Sequence, residues 1–166
     1  MIHQERIKHL NDRDIRGGRF VLYWMQQAQR ANWNHALEYA VRRANEQDVP
    51  VVVGFGLTGD FPDANERHYA FMLEGLKETA EALRGRGIAF VMQQGSPADC
   101  IPGLARDGAS MVVTDRGYLR VQRDWREKVA ENVECRVVQV ESDVVVPVET
   151  ASDKEEYAAR TLRPKI

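Results

Sequence analysis

Few residues in this sequence have the type and spacing to do chemistry, and the best of them follow the apolar run at 19–25. Met25, Gln26 and Arg30 sit at or just past its carboxyl end. A thioether can slide under an aromatic ring system. A guanidinium can pair through its planar fork with an anionic or oxygen-rich ligand. The same residues also read as a core methionine and a surface ion-pairing arginine. Phe55 and Asp115 end two further apolar runs, and Asp115 could touch a ligand or cap a turn. No nucleophile can be assembled: the chain has no Ser–His–Asp or Cys–His arrangement by sequence context. Glu141 and Asp143 are neighbouring carboxylates, but acid–base work also needs a pocket and a shifted pKa. Trp24, Trp33 and Trp125 invite an electron relay, yet Trp33 and Trp125 lie on helical apolar stripes, where core packing is the ordinary role.

Several chemistries are excluded by pattern. The loop after the first run is QQAQRANW, without glycine, and Gly54 and Gly56 do not extend to GxGxxG. A dinucleotide pyrophosphate therefore lacks its backbone cradle. No GxxxxGK[ST], HExxH or CxxC occurs, and Cys100 and Cys135 stand apart from His3, His9, His35 and His68. No metal site or disulfide framework is expected. Lys and Arg number 23 against 25 Asp and Glu, so no concentrated basic surface marks this domain as a DNA grip. The charged first residues contain no apolar h-region, and no apolar run nears the roughly 18 residues of a membrane span. A cytoplasmic location without membrane contact follows as an expectation.

These residues need elements to position them. Apolar runs at 19–25 (RFVLYWM), 51–57 (VVVGFGL), 88–92 (IAFVM), 111–114 (MVVT) and 135–140 (CRVVQV) suit strands covered on both faces. Helical stripes separate them. One is Trp33, Ala36, Leu37, Ala40, Val41 and Ala44. The next runs from Tyr69 to Leu83, capped by Asp63 with Glu66 and stopped by Gly85 and Gly87. A third opens at Ser96-Pro97 with Asp99 in a capping box, and a fourth carries Trp125 and Val129. Alternating strands and helices predict a doubly wound, Rossmann-like α/β fold on a five-stranded parallel sheet, order 3-2-1-4-5. Ligands in such sheets bind beyond the carboxyl ends of the strands. Residues 1–18 read as an arm, with a short amphipathic helix around Ile7. Residues 19–141 form the α/β domain. Residues 142–166 form an extended segment and linker, with a short helix capped by Ser152 and Glu155.

A family resemblance runs from about residue 19 to 166. The text YWMQ…QR.NW covers Tyr23 to Trp33, and RHYAFMLEGL runs from Arg67 to Leu76. VTD…LR covers Val113 to Arg120, and VVP…AS.K.EYA..T.RPK covers Val145 to Lys165. In this ordered series the chain resembles the amino-terminal, antenna-side α/β domain of class II DNA photolyases. The resemblance implies a DNA repair flavoprotein that splits cyclobutane pyrimidine dimers by light-driven electron transfer from FAD. It implies a helical FAD-binding domain beyond Ile166, which would bind the dimer-bearing DNA in the full-length protein. It also implies a deazaflavin-type antenna chromophore in the present domain, with Met25, Gln26, Arg30, Phe55 and Asp115 as its cofactor-binding candidates and no catalytic residue. Where many members carry Arg-Asp, this chain has Gln27-Ala28. The competing expectation is a stand-alone nucleotide-binding or partner-docking α/β domain without photochemistry.

Overall fold

A computed structural model describes residues 2–166. Its elements are β1 (Ile7–His9), β2 (Phe20–Trp24), α1 (His35–Gln47), β3 (Val51–Leu57), α2 (Glu66–Arg84) and β4 (Ala89–Gln94). They continue with α3 (Pro97–Arg106), β5 (Ala109–Asp115), α4 (Arg120–Asn132), β6 (Arg136–Val140), α5 (Val148–Ala151) and α6 (Ala159–Leu162). The sheet runs β1-β6-β5-β2-β3-β4. β2 to β6 are mutually parallel, and β1 lies antiparallel on β6 with Ile7 opposite Val140. The sheet therefore has six strands and is mixed, which corrects the expected five-stranded, all-parallel sheet: the arm adds β1 outside β6, beyond the five parallel strands β4-β3-β2-β5-β6.

The correction originates in the arm. Ile7 does not sit in a helix: a 3-10 turn at Gln4–Arg6 leads straight into β1. A segment with one apolar residue in Ile7-Lys8-His9 becomes a strand because an edge needs backbone partners more than side-chain burial. Leu10 N–H donates to Val137 O at 2.9 Å, and Glu141 N–H donates to Arg6 O at 2.9 Å. Asn11 Nδ2 donates to Ala130 O and Cys135 O, fixing the arm against the α4–β6 turn.

Period-two alternation sorts the strands onto two cores. Val21, Tyr23, Val53, Phe55, Met111 and Val113 face α1 and α2. Leu22, Trp24, Val112 and Val137 face α3 and α4, where Ile101, Leu104 and Val129 meet them. The α1 stripe holds for Ala36, Leu37, Ala40 and Ala44 but not for Trp33. Trp33 lies before the Asn34 N-cap with φ 53° and is 93% exposed, so it is no core residue. Trp125 is partly buried against the second core. The α2 cap is also corrected. Asn65, not Asp63, caps the helix: its side chain accepts from Arg67 N–H at 3.1 Å, while His68 Nδ1 accepts from Asn65 N–H at 3.1 Å. Asp63 instead takes a left-handed turn at φ 60°. No helix starts at Ser152, which ends α5; its hydroxyl donates to Glu156 at 2.8 Å.

Gly54 and Gly56 have a packing explanation. A Cβ on Gly56 would lie 2.8 Å from Pro97 Cα, so glycine lets the amino end of α3 press against β3. Among the described residues, no helix is long and apolar enough to cross a membrane.

Candidate functional site

Asp115 ends β5 with no solvent exposure. Its carboxylate accepts from Tyr23 Oη at 3.1 Å and from the backbone N–H groups of Gln26 at 2.9 Å and Ala28 at 2.6 Å; Gln27 N–H also donates to it. Burial pushes its pKa up, and the three backbone donors pull it back. Burial also raises the Tyr23 phenol well above its ordinary value, with the Asp115 charge adding to the effect. Asn34 completes this buried network: Nδ2 donates to Tyr23 Oη at 2.9 Å and to Ala28 O at 3.0 Å, while Oδ1 accepts from Leu37 N–H. The loop from Gln26 to Asn34 is thus pinned at both ends, by a carboxylate below and a helix cap beyond.

This loop forms one wall of a cavity of about 540 Å³ above the carboxyl ends of β2 and β3. The volume falls within the roughly 300–1,000 Å³ of small-molecule sites. Trp24, Phe55, Phe61, Tyr69, Phe71 and Trp125 give it an aromatic lining, with Met25 and Met72 between them. Phe61 and Trp125 stand 6.0 Å apart between ring centroids, tilted by 57°. The polar lining is mostly amide: Gln26, Gln27, Gln29 and Gln122. Among the described residues, no Lys, Arg, Asp or Glu lines it, and His68 is the only titratable base there.

The sequence-derived candidates divide accordingly. Met25, Gln26 and Phe55 meet at the cavity. Asp115 lies beneath the loop and holds its backbone. Arg30 is not among the lining residues. Its guanidinium pairs with Asp143 at 2.9 Å and donates to Ser142 O and Trp33 O, both at 3.2 Å, tying the loop to the segment after β6. Gln122 and Trp125 on α4, Phe61, and Tyr69 and Met72 on α2 complete the site, and sequence reasoning missed all five. Trp125 and the α2 residues carry the pattern of helix packing, and only the tertiary fold brings them to the β2 loop.

A second buried carboxylate, Glu141, serves the far edge. It accepts from Tyr118 Oη at 2.7 Å and from Val148 N–H at 3.2 Å, and it pairs with Arg116 at 3.4 Å. Burial and this bond raise the Tyr118 phenol. With Asp143 committed to Arg30, the two carboxylates hold structure rather than form an acid–base pair. Among the described residues, no cluster of His, Cys, Asp and Glu is suited to a metal ion.

A DNA photolyase family model matches residues 21–166. The chain belongs to the DNA photolyase family. It is 52% identical over its full length to a deoxyribodipyrimidine photo-lyase of Methanothermobacter thermautotrophicus, of which it covers 37%. The chain spans about a third of the length of the curated relatives it matches. Among solved structures, an archaeal photolyase from Sulfolobus tokodaii, determined with two FAD molecules, matches 88% of this chain with 34% of its own. The TM-score is 0.73 at 16% identity, a likeness of fold. A universal stress protein from Archaeoglobus fulgidus shares the fold more loosely, with TM-score 0.50 and 18% identity over 73% of this chain and 98% of that one.

Proposed function

We propose that this chain is the chromophore-holding domain of a DNA photolyase that repairs cyclobutane pyrimidine dimers by light-driven electron transfer from FAD. The chromophore is a planar ring of the deazaflavin type. When bound, it would absorb light and pass excitation to the flavin. The observation that carries the reading is the uncharged, aromatic-lined cavity at the carboxyl ends of β2 and β3. Flat rings gain from offset or edge contacts with Trp, Tyr and Phe, and glutamine amides supply directional hydrogen bonds without charge. Trp24, Phe55 and Trp125 would contact the ring, and Met25 would fill the space beneath it. Asp115 would keep the Gln26–Ala28 backbone in place, and Arg30 would brace the loop from outside. No residue of this chain is assigned a catalytic role.

FAD and the dimer-bearing DNA belong, in this reading, to a carboxyl-terminal helical domain of the full-length protein. The deoxyribodipyrimidine photo-lyase of which this chain covers 37% supports that architecture. The Sulfolobus photolyase supports a second ring site, since its structure with two FAD molecules implicates a novel light-harvesting cofactor in that protein. A surface for docking the helical domain is available near the end of the chain, where Val145 is 93%, Tyr157 81% and Ile166 64% exposed. A stand-alone nucleotide-binding role has less support, because the cavity offers a phosphate neither a glycine-rich loop nor a lysine or arginine among the described residues.

The test is a titration of the purified chain with 8-hydroxy-5-deazaflavin, followed by quenching of tryptophan fluorescence. One saturable site is expected. Absence of saturable quenching would overturn the reading.

A further inference from the structure

Three of the four glutamines around the cavity are anchored on a group that can act in only one sense, and the fourth, Gln27, is oriented through Gln122. A glutamine amide has one accepting and one donating end, and its partners decide which end points where. Leu119 N–H can only donate, so Gln122 turns Oε1 toward it at 3.2 Å. Gln122 Nε2 must then donate, and it reaches Gln27 Oε1 at 2.8 Å. That contact uses the accepting end of Gln27 and leaves its Nε2–H₂ without a protein partner among the described residues. On the same loop, Gln26 O can only accept, so Gln29 donates Nε2–H to it at 3.3 Å. Gln29 Oε1 is left free in its turn, again among the described residues. Gln26 has both ends engaged: Arg126 Nη1, which can only donate, holds its Oε1 at 2.8 Å, and its Nε2 donates to Gln122 O at 3.2 Å.

Gly117 makes the first link possible. A Cβ there would lie 2.4 Å from Gln122 Cδ, so any side chain would displace the Gln122 amide. Gln27 and Gln29, both lining the cavity, therefore offer a held donor and a held acceptor two residues apart.

We propose that the cavity reads the lactam edge of its ligand, a ring carbonyl beside a ring N–H, through Gln27 Nε2–H and Gln29 Oε1. This rests on the chromophore reading above and deepens it. The shared chemistry is the –C(=O)–NH– edge, which both tricyclic flavin-type rings and single-ring nucleobases carry. The aromatic lining favours the larger ring.

Riboflavin, 3-methylriboflavin and uridine serve as probes for fluorescence titration of the whole 166-residue chain. Methylation replaces the ring N–H with a methyl group, and it should weaken binding about tenfold, the effect of one hydrogen bond left unmade. Gln27→Glu keeps an acceptor for Gln122 but turns the outward donor into a carboxylate; riboflavin should again bind about tenfold more weakly, with the unfolding midpoint unchanged. Gly117→Ala, by displacing Gln122, should reduce the preference for riboflavin over its 3-methyl form. Uridine should bind more weakly than riboflavin. Equal binding of the methylated and unmethylated rings, or of riboflavin by the native and Gln27→Glu chains, would overturn the lactam reading alone. Uridine binding as tightly as riboflavin would keep the edge but overturn the tricyclic occupant. No riboflavin binding by the native chain would overturn this inference, whereas the chromophore reading falls only if 8-hydroxy-5-deazaflavin also fails to bind.

Discussion

Replacing Asp115 with Asn should unfold the site's support while leaving side-chain volume almost unchanged. The carboxylate accepts from three consecutive backbone N–H groups and one phenol, and it donates to none of them. An amide in its place must aim an NH₂ at one side of this group. One orientation confronts Gln27 and Ala28 N–H, and the other confronts Gln26 N–H and the Tyr23 hydroxyl. One or two buried N–H groups then lose their acceptor. Bonds to a charged acceptor contribute about 1.5–3 kcal/mol each, and a buried donor left unpaired adds its own desolvation cost. Relief of the buried charge returns part of this, since burial already pushes the Asp115 pKa up. The net loss should be about 2–4 kcal/mol, a large fraction of the roughly 5–15 kcal/mol of a typical domain. At this chain length the midpoint of thermal unfolding should fall by roughly 5–15 °C. Urea unfolding followed by circular dichroism measures it, with an unchanged slope showing that both proteins unfold the same surface. An Asp115→Asn chain within about 0.5 kcal/mol of the native one would refute the assignment of Asp115 as the loop's anchor.

Three further perturbations follow from the same geometry. Gly56→Ala should push α3 from β3, because the new methyl meets Pro97 Cα at 2.8 Å; the expected cost of about 1–3 kcal/mol is read by urea unfolding. Arg6→Ala should free the 142–150 segment, since Arg6 donates to Glu141 O, Val144 O and Val145 O; amide exchange there should accelerate while the β5 core stays protected. Glu156 is pulled down to about 2, chiefly by the hydrogen bonds that Lys165 and Ser152 donate to it. Because its folded value lies below the ordinary 4.5, its hold on the 152–165 segment is complete above pH 4.5 and is lost as pH falls toward about 2. Amide-exchange protection across that segment, taken relative to the intrinsic rate at each pH, should fall through this window, and Glu156→Gln should flatten the profile.

The strands of the core were legible because buried parallel strands are near-continuous apolar runs, and all five such runs became β2 to β6. β1 was not, because its pairing is made by backbone groups that no side-chain pattern records. Trp33 shows where periodicity misleads: its spacing fits the α1 stripe, but Asn34 sets the helix start after it, and a tryptophan ahead of the cap turns outward. At the site, Met25, Gln26 and Phe55 were legible from their place at strand ends. The partners of Asp115 were not, since three of the four are main-chain amides. Nor were Gln122 and Trp125, which α4 brings across the sheet from nearly 100 positions away along the sequence.

The most direct measurement is methyl NMR of the methionines during saturation with 8-hydroxy-5-deazaflavin. Met25 and Met72 line the cavity, whereas Met111 is buried in the sheet and Met92 lies on the β4 edge. Ring-current shifts at Met25 and Met72, with Met92 and Met111 unmoved, are the expected result. Shifts at Met92 alone, or at none of the four, would contradict a chromophore site above β2 and β3.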